Sequence, residues 1–177
     1  MMHHVFVDET KSHGYLMAAV AVVPRDLTET RNVLRGLLLS GQRRIHFVKE
    51  RESRRRAIIS ALADRELLVT VYDASAVTND LLAREACITA ILEDAVVSRA
   101  TRLVFERADS LELTDRRLLS ALMDKYPVSN RRPAYELMRC HEEQLLALPD
   151  IVAWCWAKGG EWKRRIRPIV CDVRKLP

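Results

Sequence analysis

The sequence has no apolar run approaching the roughly 20 residues of a membrane span, so no helical membrane segment is expected. Its opening, Met1-Met2-His3-His4, lacks a basic stretch, an apolar core and a small-residue cleavage site. A secretory signal is therefore not expected, and two histidines are too few for a tag or a metal tract. The cysteines Cys87, Cys140, Cys155 and Cys171 lie far apart and form no C-x-x-C pair, which argues against a zinc site or a redox motif. Three of them sit in apolar contexts, where a free thiol behaves as a small hydrophobe. A reducing, cytoplasmic compartment follows as the expectation. No aromatic residues are interleaved with the arginines, so base-stacking readout of single strands is not indicated. Internal repeats, linkers and low-complexity stretches are absent as well.

What remains is one folded unit. The 177 residues suffice for a single sizeable domain, 1–177. With 49% hydrophobic and 30% charged residues, the composition is that of a globular protein and not of a disordered one. The net charge of +5, with a pI near 9.2, is gathered into clusters. These are Arg43-Arg44; Lys49, Arg51 and Arg54-Arg55-Arg56; Arg131-Arg132; and Lys163-Arg164-Arg165 with Arg167. Such patches suit a phosphate backbone or form solvated helix faces.

Strand and helix patterns alternate along the chain. His4-Val5-Phe6-Val7 reads as a strand ending in Asp8 and Glu9. Ser12-His13-Gly14 reads as a turn, and residues 15–23 as a second apolar strand. Asp26 with Glu29 at capping-box spacing predicts a helix start, with Val33, Leu34, Leu37 and Leu38 on one face. Ile45-His46-Phe47-Val48 predicts a small strand or extended crossing. A helix over 53–64, a strand over 66–73 ending in Asp73, and a long helix over 79–98 follow. Residues 101–106 form another buried strand, closed by Glu106 and Asp109. A helix over 114–125, a loop over 127–133 and a strand over 134–140 come next. The last helix starts with Pro149 in its first turn and ends at Gly159-Gly160, and 162–167 reads as a final turn. The alternation predicts a single α/β domain with a mixed sheet.

One relationship links these element ends. Asp8 closes the first strand. The strand of Glu106 follows a long crossover helix, so it should lie parallel to the first and beside it. Ligand groups in such sheets gather at the carboxyl ends of strands. Asp150, in the first turn of the final helix, can project toward the same edge. Three carboxylates brought together repel unless a cation holds them, and oxygen-only ligation selects Mg²⁺ or Mn²⁺. Two such ions on shared carboxylates can activate water and stabilise the leaving oxygen of a phosphodiester. The same residues also read as ordinary turn and helix-dipole acids.

The layout resembles the ribonuclease H-like superfamily and, more narrowly, the domain-of-unknown-function family 3800. The pieces that carry the resemblance are Val7-Asp8-Glu9-Thr10, Ile45-His46-Phe47, and Leu146-Ala147-Leu148-Pro149-Asp150 leading into Ala153-Trp154. They span about residues 4 to 160. Thr10-Lys11, Ala147, Pro149 and Glu106 depart from the family pattern. The resemblance implies a ribonuclease H-like mixed five-stranded sheet flanked by helices. It implies Asp8, Glu106 and Asp150 as catalytic metal ligands for Mg²⁺ or Mn²⁺, with Glu9 supplementary and Asp109 the alternative to Glu106. His46 and Lys49 would face the scissile phosphate. Arg43, Arg44, Arg131 and Arg132 are the further candidates for nucleic-acid contact, with DNA and RNA both open. A module of the same fold that only binds nucleic acid or a protein partner is the alternative. A third is oligomerisation through residues 154–162. Around His141-Glu142-Glu143 a solvated loop is expected.

Overall fold

The computed structural model describes residues 2–127 and 132–177. Six strands, β1 (His4–Thr10), β2 (Leu16–Val22), β3 (Leu68–Asp73), β4 (Arg102–Glu106), β5 (Ala134–Met138) and β6 (Val170–Lys175), form one sheet in the order β5-β4-β1-β2-β3-β6. The β1–β2 and β2–β3 pairs are antiparallel; β1–β4, β4–β5 and β3–β6 are parallel. The helices are α1 (Leu27–Gly36), α2 (Glu52–Ala63), α3 (Asp80–Val97), α4 (Glu112–Asp124), α5 (Ala147–Lys158) and α6 (Gly160–Ile166).

Side chains alternate across the sheet, so each strand feeds two cores. Phe6, Ala18, Val20, Val71 and Val104 face a core shared with α1, α2, α5 and α6. Val5, Val7, Met17, Leu103 and Phe105 face the other, shared with α3 and α4. Helix α5 is apolar around almost its whole circumference, as a helix enclosed on all sides must be, and it lies on β1 and β2. Among the described residues no helix is long and apolar enough to cross a membrane.

Three sequence expectations require correction. The sheet has six strands and not five. Strand β6 escapes notice because Asp172, Arg174 and Lys175 break its apolar pattern, as charge does on edge strands. The stretch around Phe47 is no strand but a 3-10 turn, Phe47–Lys49, with Phe47 and Ile45 buried. Asp26 makes no side-chain cap. A 3-10 turn, Pro24–Asp26, leads into α1, and the Thr30 hydroxyl donates to the Asp26 carbonyl at 2.7 Å. At α3 a side-chain cap is present, with Asn79 Oδ1 accepting from the N–H groups of Leu81 and Leu82.

Candidate active site

The parallel register sets His4 opposite Arg102 and Val7 opposite Phe105. One step further puts Asp8 beside Glu106. Asp8 lies two residues after Phe6 and Glu106 two after Val104, so alternation turns both toward α5. Asp150 enters from the first turn of α5, where the backbone N–H of Phe47 donates to its carboxylate.

The electrostatics record the convergence. Burial, and then the neighbouring carboxyl of Glu106, hold the Asp8 pKa well above the usual carboxylate range; Asp150 adds to the effect. Asp8 and Glu106 stand within reach of a shared hydrogen bond. Burial and Glu106 likewise push Asp150 up to about 6. Each group thus favours its neutral form, as acids crowded together in a desolvated place do. The Glu9 N–H donates to Asp8 Oδ1 at 2.7 Å, which opposes the rise.

A basic loop borders the acids. Arg44 Nη1 lies 3.4 Å from Glu106 Oε1, and Arg44 Nε donates to His46 Nε2 at 2.9 Å. With Nε2 accepting, the ring of His46 is neutral and carries its proton on Nδ1. Burial and the cations Arg44 and Lys49 lower its pKa. Lys49 and Arg43 are exposed nearby in sequence.

Glu9 points the other way, toward α3 and α4. Its carboxylate accepts from Tyr15 Oη and from Arg84 Nη1, and Arg84 also grips Asp115 at 2.8 and 2.7 Å. Asp109 is exposed and paired with Arg107 at 3.1 Å and Arg139 at 2.8 Å. Asp73 accepts the Ser75 N–H at the end of β3. Arg132 donates to the Tyr126 carbonyl, and Arg131 lies outside the described residues. The arginines of α2 are half-buried and engaged within the chain. Arg54 binds Glu50 and the Leu37 carbonyl, Arg55 the carbonyls of Phe47 and Val48, and Arg56 Glu161. Around His141 the loop is not wholly solvated, because Glu143 is buried against Arg31 at 3.1 and 2.8 Å.

Comparison with protein-family models and with curated proteins yields no match. Among solved structures, the RNase HII in "Structure of the PCNA:RNase HII complex from Archaeoglobus fulgidus" superposes with a TM-score of 0.58. The match covers 93% of this chain and 75% of that one, at 17% identity. The fold is ribonuclease H-like. At that identity the likeness is one of fold alone, and no family model supports the narrower resemblance to family 3800.

In this ribonuclease H-like frame Asp8, Glu106 and Asp150 share one face, while Glu9 and Asp109 have partners elsewhere. As they stand, no three His, Cys, Asp or Glu side chains among the described residues are gathered tightly enough to hold a metal ion. The donor chemistry still fits a hard divalent cation, all oxygen and partly buried, with Arg44 the cation nearest to it. Two features were invisible in the sequence. Arg44 and Glu106 are separated by 62 positions, and the Glu9–Arg84–Asp115 network joins three elements. Only the lone arginine in the otherwise apolar face of α3 hinted at the latter.

Proposed function

We propose that the chain is a nuclease that hydrolyses phosphodiester bonds with Mg²⁺ or Mn²⁺ held at the carboxyl ends of β1 and β4. The observation that carries this reading is the convergence of Asp8, Glu106 and Asp150 on one face, where burial and then the neighbouring carboxyl of Glu106 raise the pKa of Asp8 and of Asp150, a cost that a bound cation would offset. Asp8, Glu106 and Asp150 would hold the cations, with Glu9 behind Asp8 and Asp109 at the rim. Bound there, the ions would polarise an attacking water and stabilise the leaving oxygen.

The rest is the work of side chains. Hydrolysis joins the water oxygen to phosphorus, breaks the bond from phosphorus to the leaving oxygen, and moves one proton from water to that oxygen. The carboxylates orient the water and accept its proton. The Nδ1–H of His46 is the donor left to face the substrate, since Nε2 is engaged by Arg44. Lys49, with Arg43, Arg44, Arg131 and Arg132, supplies positive charge for the flanking phosphates. Nucleic acid is the partner class, and DNA and RNA both remain within it.

The contact between Arg44 and Glu106 favours a second reading, a binding module in which an arginine does the work of the cation. Incubation with DNA and with RNA in Mn²⁺, beside Asp8→Asn, separates the two. Cleavage by the wild type and its loss in the variant support the nuclease. Equal cleavage by both proteins, or none by either, removes it.

A further inference from the structure

A pocket of about 340 Å³ opens one helical turn beyond Asp150. Its walls include Ser12 and His13 of the β1–β2 loop, Arg55 of α2, Trp154 and Lys158 of α5, and Trp162 of α6. We propose that it is a subsite for one unpaired nucleotide of a single-stranded nucleic acid, its base over the Arg55–Trp154 platform and its phosphate at Lys158 and His13. This rests on the nuclease reading for its place beside a scissile bond.

The platform is built and rigid. The Arg55 guanidinium lies over the Trp154 ring at 4.3 Å from its centroid. Its Nε and Nη2 donate to the carbonyls of Phe47 and Val48 at 2.9 and 2.6 Å. Phe47 and Trp162 meet Trp154 edge-on, at 5.3 and 5.6 Å between centroids. A planar cation fixed in this way presents a flat surface to a base, and stacking on guanidinium or aromatic planes is sequence-tolerant.

The rim supplies donors for a phosphate. Lys158 and His13 are exposed and, among the described residues, form no ion pair. The acid on the rim, Glu52, is bound by Arg56 at 3.2 Å. Size sets the occupant: the volume is at the small end of ligand pockets, roughly 300–1,000 Å³, which admits one nucleotide and no base pair. A base held there has left any duplex. Position sets the register, because Trp154 follows Asp150 by four residues on one helix face, about 6 Å along the axis. A nucleotide in the pocket therefore adjoins a phosphate at the carboxylates.

The absence of aromatics among the arginines in sequence spoke against stacking. The fold reverses that reading by carrying Trp154 and Trp162 to Arg55 from about 100 residues away.

The test is fluorescence anisotropy of labelled oligothymidylate, oligouridylate and a matching duplex in EDTA, where no cleavage occurs. Wild type should bind the single strands about tenfold tighter than the duplex. Lys158→Gln with His13→Ala, both exposed, should weaken single-strand binding about tenfold. Trp154→Leu should do the same, near the lower end of what one lost base–aromatic stack costs. Arg117→Gln, an equal charge change on α4, should bind as wild type. Pocket variants that bind normally, equal duplex binding, or equal weakening by Arg117→Gln overturn the subsite. Correct binding with no cleavage in Mn²⁺ overturns the nuclease and leaves the subsite standing. Cleavage with unaffected pocket variants does the reverse.

Discussion

Asp8, two residues before the end of β1, and Glu106, the last residue of β4, lie side by side on neighbouring parallel strands with their carboxyl groups within hydrogen-bond reach. An acid whose pKa is higher in the fold than in the unfolded chain favours folding while it holds its proton. That contribution is lost as pH climbs from the unfolded value to the folded one.

For Asp150 the window runs from its ordinary 3.8 to about 6, a difference worth roughly 3 kcal/mol. Without divalent cations, Asp150→Asn should therefore gain up to roughly 3 kcal/mol on the wild type between pH 4 and 7. Urea denaturation at a series of pH values in EDTA measures it. A stability difference that stays flat with pH would show that Asp150 is neither desolvated nor crowded by Glu106.

Millimolar Mn²⁺ should replace those protons. At a hundredfold excess over Kd the stabilisation is about 2.7 kcal/mol, or about 5–10 °C in Tm for a domain of this size. The gain should grow from pH 5 to pH 7, because ligation needs ionised carboxyls, and a chelator should reverse it. Asp8→Asn should lose most of it. An equal shift in wild type and variant would place the ion elsewhere.

Behind the strand ends, Arg84 is 6% exposed and Asp115 2%. Arg84→Met leaves the buried Asp115 without its cation and Glu9 with only Lys11 at 3.8 Å, at a cost of about 3–5 kcal/mol. Arg84→Met combined with Asp115→Leu should recover a large share, since no charge then remains buried at Asp115. Chemical denaturation of the three proteins decides it, and strictly additive losses would contradict the network.

Gly159 joins α5 to α6 with φ 72° and ψ −160°, a region essentially closed to side chains. This bend brings Trp162 edge-on to Trp154. Gly159→Ala should cost about 1–3 kcal/mol. Gly36→Ala, at the end of α1 with open space around it, should stabilise by about 0.5 kcal/mol. Denaturation midpoints moving in the same direction would refute the contrast.

Much of this was legible in one dimension. Apolar runs located β1 to β5, and the periodicity of 80–97 located α3, because burial on one or two faces leaves a period in the sequence. The crossover rule set β1 beside β4. Strand β6 was not legible, since an edge strand carries charges that hide its period. Nor was the direction of Glu9, adjacent to Asp8 in sequence but on the opposite face of the sheet.

The amino-acid order alone determined the strand–helix alternation, hence the sheet class, and the placing of three acids near the ends of its elements, since these depend on local pattern and connection handedness. Tertiary structure decided which charges are partnered. Arg44 at Glu106, Arg84 at Glu9 and Asp115, and Arg55 on Trp154 each join residues separated by tens of positions. Coulomb and stacking forces act through space, and distance along the chain does not predict distance across the fold.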